Sequence, residues 1–149
     1  MKAAFDRTQS PGYMTNWAAR LFARAIDRKL RAAGISSGQL PVFFALGDGE
    51  ALSQKALTRA AAIEQPTMAA TLIRMERDGL IERNPDPSDK RSALISLTPA
   101  AMDKVRIVRE AIAMVNSAAV ADLDPEETKA YLAILQRVIR ALDAIPEEE

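Results

Sequence analysis

Cysteine and histidine are both missing from these 149 residues. Without cysteine there can be no disulfide, no thiolate metal site, no thiol nucleophile and no sulfur-based redox switch. Without histidine the chain lacks the commonest metal ligand and the commonest general base. Catalysis would have to run on carboxylates, lysine, serine or tyrosine. The acidic groupings Glu126–Glu127 and Glu147–Glu149 sit at a helix start and in a solvated tail, not as a facing pair. The expectation is no enzyme, no metal and no cofactor. Long apolar runs are absent too: none approaches the roughly 20 residues a membrane span needs. The opening "MKAAFDRTQSPG" has one lysine but no apolar stretch after it, so it does not read as a secretory signal. Cytoplasmic residence without a membrane partner is the default expectation.

Net charge is zero, with 20 Lys+Arg against 20 Asp+Glu. The balance is uneven along the chain. Residues 1–34 hold seven basic and two acidic side chains, whereas residues 122–149 hold three basic and eight acidic ones. A neutral total argues against indiscriminate coating of nucleic acid but permits a local basic surface.

What is present is mostly helical pattern. Tyr13–Ala33 repeats apolar residues through Trp17, Leu21, Ala25 and Leu30, with Arg20, Arg24, Arg28 and Arg31 on another face; Gly34 stops it. A short second helix carries Leu40, Phe43, Phe44 and Leu46, with Pro41 in its first turn and Gly47 and Gly49 after it. Ser53 caps a third helix with Leu57 and Ala61 inward. Pro66 opens a fourth, where its missing N–H costs nothing, and Met68, Leu72 and Met75 form its buried stripe up to Gly79. "LIER" and "ALISL" read as two short strands joined by a loop over Asn84–Ser92. Thr98–Pro99 starts a fifth helix striped by Val105, Val108, Ile112, Val115 and Ala119. Asp124–Pro125, with Glu127 completing a capping box, starts a sixth striped by Tyr131, Ile134, Leu135, Val138, Leu142 and Ile145.

Helix–turn–helix followed at once by a two-stranded hairpin is the order of a winged helix. The fold class expected is therefore mainly α with a small β-hairpin wing and long N- and C-terminal helices. Gln65, Thr67, Ala70 and Arg74 lie off the buried stripe of the fourth helix. Small residues there let the backbone approach base edges in the major groove. Gln65 is placed for a base edge or a phosphate, and Arg74 for guanine or a phosphate. Taken alone, the same face also suits an ordinary surface helix. The loop adds weight: Pro85 and Pro87 limit its conformations, Asp89 is close enough in sequence to brace Arg91, and a stiff arm tipped with arginine suits the negative potential of a narrow minor groove.

The first and last two helices are too long and too apolar to decorate a lobe of roughly 65 residues, the size at which a winged helix can form a core. Pairing with a second copy is the reading favoured. The division expected is residues 1–35 for dimerisation, 36–98 for the DNA-binding lobe and 99–149 for dimerisation again. Trp17, Phe43, Phe44, Met102 and Arg106 are candidates for an apolar pocket with one cation, suited to an aromatic acid; core packing is the competing explanation.

At this point the sequence closely resembles the MarR family, the multiple-antibiotic-resistance regulators, from about residue 12 to residue 143. The most specific segments are "QPTMAATLIRMERDGLIERNPDPSDKRS" and "LISLTPAA", with Asp89, Lys90, Arg91, Leu97 and Thr98 in the places of the family's wing signature. The resemblance implies a homodimeric winged-helix regulator, usually a repressor, that binds a pseudo-palindromic double-stranded DNA operator and is released by a small, often phenolic, ligand. It implies Gln65, Pro66, Thr67, Ala70 and Arg74 at the major groove, Arg91 in the minor groove, and Lys90 with Ser53, Gln54 and Lys55 on phosphates. Ala70 departs from the arginine many members carry, and Ala101 from a glycine. The rival class is a winged-helix module that docks protein without reading DNA.

Overall fold

The computed structural model describes residues 5–148. The chain falls into two compact units, one ending at Ile112 and the other beginning at Ala113. The first unit opens with helix α1, Pro11–Leu30. It starts two residues before the expected Tyr13 because Ser10 caps it: the Ser10 hydroxyl accepts from the Tyr13 N–H at 3.2 Å, and Pro11 fills the first turn. A 3-10 turn over Arg31–Ala33 carries the helical path to the expected end, and Lys104 donates from Nζ to the Ala33 carbonyl at 2.7 Å. Helix α2 spans Leu40–Leu46, with Pro41 in its first turn as expected.

Helices α3, Gln54–Ala61, and α4, Gln65–Arg77, form the helix–turn–helix. Ser53 caps α3 by accepting from the Ala56 N–H at 3.1 Å. α4 ends in a left-handed residue, Gly79 at φ 72°, with Leu80 N–H bonded to Met75 O and Gly79 N–H to Glu76 O. That pairing satisfies carbonyls the helix itself cannot. α3 ends with the same bonding, Ile63 N–H to Thr58 O and Ala62 N–H to Arg59 O. Here, though, Ala62 takes the left-handed place at φ 52°, the sole non-glycine residue to do so among those described. Its Cβ costs roughly 1–2 kcal/mol in that conformation.

Three strands complete the lobe: β1 Leu52–Ser53, β2 Ile81–Asp86 and β3 Asp89–Leu97, antiparallel in the order β1-β3-β2. The wing therefore differs from the expected pair of short strands around a nine-residue loop. Pairing continues through Asn84↔Leu94 and Pro85↔Ala93, leaving Pro87 and Ser88 as the turn. Proline is tolerated in β2 because β2 is an edge strand, whose outer N–H groups have no strand to bond. Strand β1 was not anticipated; two residues are too few to show a period. The core under these elements is Leu46, Leu57, Met68, Leu72, Met75 and Ile95, all fully buried. Ala101 and Val108 of helix α5, Pro99–Ala119, are buried as well. No described helix is long and apolar enough to cross a membrane.

The second unit holds the end of α5 and helix α6, Pro125–Asp143. The capping box is formed as expected: Glu127 N–H donates to Asp124 Oδ1 at 2.8 Å, and Asp124 N–H to Glu127 Oε2 at 3.0 Å. No residue of α6 is buried.

Candidate nucleic-acid interface

The inner face of α4 is sealed by Met68, Thr71, Leu72 and Met75. Gln65, Pro66, Thr67 and Ala70 stand exposed on the first two turns, and Arg74 is exposed one turn further on. For Pro66, Thr67, Ala70 and Arg74 this follows from 3.6-residue periodicity, which turns them away from a stripe at 68, 72 and 75. Gln65 shares the side of the stripe and is exposed because it is the first residue of the helix. The first turn of α4 has no acidic residue, and the one carboxylate beside it is the exposed N-cap residue Glu64. Arg74 does not lie on the midline of that face. Its Nη2 is 3.5 Å from Thr71 Oγ1, and it lines a cleft of about 400 Å3 with Asp27, Arg31 and Asp78.

At the wing, Asp86 accepts from the Ser88 N–H at 2.9 Å and from its hydroxyl at 2.8 Å, fixing a turn in which neither Pro87 nor Ser88 has positive φ. These bonds, the backbone one first, hold the Asp86 carboxyl below the usual carboxylate range. Asp89 accepts from the Arg91 backbone N–H at 3.0 Å and lies 3.5 Å from its Nε. The brace acts first on the backbone of Arg91 and more loosely on its guanidinium, which stays 93% exposed. Lys90 is exposed beside it. At the base of the wing the Thr98 hydroxyl donates to Gly79 O at 2.6 Å and accepts from Ala101 N–H at 3.2 Å, so one side chain both closes the hairpin and caps α5.

Sequence reading missed the residue that ties wing to helices. Arg83 of β2 places Nε 2.9 Å from Glu76 Oε2 on α4 and Nη1 3.5 Å from Gln54 Oε1 on α3. One guanidinium thus spans three elements, and it engages Gln54, itself one of the expected phosphate contacts. Arginine's rigid planar fork reaches two acceptors on different helices at once; lysine's compact ammonium does not. Arg83→Ala is expected to loosen the wing, so that a further Arg91→Ala change costs less DNA affinity than it does in the native chain. A double-mutant cycle by fluorescence anisotropy checks this; strictly additive losses would mean Arg83 plays no positioning part.

The five pocket candidates are not gathered together. Phe43 and Phe44 line a cleft of about 350 Å3 with Asp48, Val105, Val108, Arg109 and Ile112. The cation there is Arg109, ion-paired with Asp48, whereas Arg106 pairs with Glu110 along the surface of α5 at 2.7 Å. Trp17 packs edge-on to Tyr13, with the Arg7 guanidinium 4.7 Å from its ring centre. Met102 lies outside the cleft lining.

Comparison with known proteins agrees with this geometry. Residues 33–92 match the model of the MarR family. Transcriptional regulator HosA of Escherichia coli O111:H- is 30% identical over 110 residues, which cover 72% of this chain and 79% of HosA. A probable transcriptional regulator from Pseudomonas aeruginosa superposes with a TM-score of 0.80 at 26% identity, covering 89% of this chain and 99% of that one. PcaV from Streptomyces coelicolor, in complex with its natural ligand, gives 0.82 at 25% identity over 94% and 99%. The chain belongs to the MarR family of winged-helix, DNA-binding transcriptional regulators.

Proposed function

We propose that this regulator works as a homodimer on a pseudo-palindromic operator, represses transcription there, and is released by a small aromatic acid. Residues 36–98 read the DNA, and residues 1–35 and 99–149 hold two copies together. α4 enters the major groove with Gln65, Pro66, Thr67, Ala70 and Arg74, while Arg91 at the wing tip enters the adjacent minor groove. Lys90 and the Ser53–Lys55 start of α3 bind phosphates. The observation that carries this reading is the pairing of a slim, exposed helix start with an almost fully solvated arginine on a paired strand. Phosphate contacts give affinity and register, and the helix and wing give sequence readout.

The apolar cleft beside Arg109 supports an effector role. Its volume lies in the range of small-molecule sites, its walls are mainly aromatic and aliphatic, and a ligand carboxylate would take the place of Asp48 on its single guanidinium, Arg109. PcaV, of similar fold, holds a natural ligand. The regulated genes would be neighbours of its own, as is usual in the family.

The reading is tested by gel-shift titration on the DNA flanking the chain's own gene at two salt concentrations. Affinity should fall steeply as salt rises, because each neutralised phosphate releases counterions. Arg91→Ala should weaken selective binding by roughly tenfold and lower the salt slope, and Arg74→Ala should cost a similar factor. Absence of any selective shift at either salt would point instead to a protein-docking module.

A further inference from the structure

We infer that Ile73 is a base-reading residue of the recognition helix, and that its target is the C5-methyl group of thymine. The inference rests on the reading of α4 as the major-groove helix and goes further by naming what its midline recognises. Directly opposite the buried Met68–Leu72–Met75 stripe, the outermost ridge of α4 runs Pro66, Ala70, Ile73 and Arg77, spaced three or four residues apart and all exposed. Arg74 lies to one side of this ridge, over its own cleft. The residue that projects along the midline is therefore an aliphatic one.

Ile73 is 65% exposed, and from Gly47 to Thr98 it is the one large apolar side chain standing in solvent among the described residues. The other exposed apolar side chains belong to the N-terminal segment through α2 and to the segment from α5 onward. The rest of the winged lobe keeps its large aliphatic residues in the core or half covered. An isolated β-branched side chain costs little in water, but it also has few rotamers to lose on docking. Arg74 is next in sequence and Arg77, ion-paired with Asp78, is one turn on. The exposed Glu76 between them is taken up by Arg83, and Lys90 and Arg91 stand exposed on the wing, so the cations not matched on α4 and β2 face outward. A partner for this face is polyanionic with an apolar spot inside it. Duplex DNA fits: in the major groove the thymine methyl is the apolar feature among donors and acceptors, and aliphatic side chains recognise it by contact. The small residues at 69 and 70, one turn before Ile73, leave the approach open.

The test starts from duplexes selected by the full-length protein from a random-sequence library. In the selected duplex each thymine is replaced in turn by deoxyuridine, which removes only the methyl group. For the native chain one or two positions per half-site should lose about fourfold in affinity, the equivalent of one apolar carbon at roughly 0.8 kcal/mol. In Ile73→Ala, whose exposed position leaves folding intact as a thermal melt will verify, those positions should become insensitive to the replacement. Uracil tolerated everywhere by the native chain, or the same penalties retained in Ile73→Ala, overturns the inference while leaving α4 as the recognition helix. Failure to enrich any sequence overturns both.

Discussion

Leu72→Ala is expected to destabilise the protein by about 2–5 kcal/mol, enough to lower Tm by roughly 10 °C and to abolish operator binding near physiological temperature. Leu72 is fully buried on the inner face of α4, within the cluster of Leu46, Leu57, Met68, Met75 and Ile95. Removing its side-chain carbons forfeits their transfer energy and leaves a cavity that three elements must collapse around. The loss would consume a large share of the 5–15 kcal/mol that holds an ordinary domain together. The effect on DNA binding follows because α4 has no tether on its outer side: its orientation comes from this inner packing and from the Glu76–Arg83 contact. Thermal melts followed by circular dichroism, with anisotropy titrations at 10 °C and 37 °C, check both halves. Binding that is weak at both temperatures in a fully folded protein would show that packing behind α4 sets its pose as well as its stability. A melt unchanged within 1–2 °C would contradict the burial of this side chain.

The same physics explains which features could be read from the chain and which could not. Helix starts were legible because capping is local: Ser53, Pro41, Pro66, and Asp124 with Glu127 each act within four residues of themselves. The Met68–Leu72–Met75 stripe was legible because burial on a helix repeats at a fixed period. The wing was legible in place but not in extent. Pro85 and Asp86 look like loop chemistry, and only the sheet order shows that β2 is an edge able to accept a proline. Arg83 gave no signal because its partners lie 7 and 29 residues away in sequence. Helix periodicity gives spacing but not rotation about the axis. The period alone therefore offers Arg106 for the Phe43–Phe44 cleft, whereas Arg109, three residues on, is the one that lines it. Ile73 was as legible as the stripe, since the same period sets it opposite Met68, Leu72 and Met75, but the expectation for the outer face rests only on its polar, small and basic residues.

Replacing Ile134 and Leu142 together with lysine is expected to turn the proposed homodimer into a monomer at micromolar concentration and to reduce operator affinity to that of an isolated half-site. α6 carries apolar residues along most of its length, yet Tyr131 is 38% exposed, Leu132 53%, Ile134 55%, Ile139 56% and Leu142 59%; the helix ends at Asp143, before the expected Ile145. A 19-residue helix with no fully buried residue, and only Thr128, Leu135 and Val138 half covered, gains little from tertiary packing unless something covers that face. A symmetric partner brings the same stripe to meet it. Each large aliphatic side chain contributes roughly 1.5–3 kcal/mol when fully buried. With somewhat over half of Ile134 and Leu142 still exposed, the double change, acting twice by symmetry, forfeits about 3–7 kcal/mol, and the ammonium groups it puts into the seam add a desolvation cost. The total approaches the roughly 8 kcal/mol separating nanomolar from millimolar association. Lysine is a good helix former, so α6 itself should survive, which far-ultraviolet circular dichroism will show. Sedimentation equilibrium then reads the mass, and titration of a full palindrome against a half-site duplex reads the consequence. A double variant that still sediments as a dimer would move the pairing surface off α6. One that is monomeric yet binds the palindrome as tightly as before would break the link between dimerisation and operator recognition, since two recognition helices gain from each other only when held about one DNA turn apart.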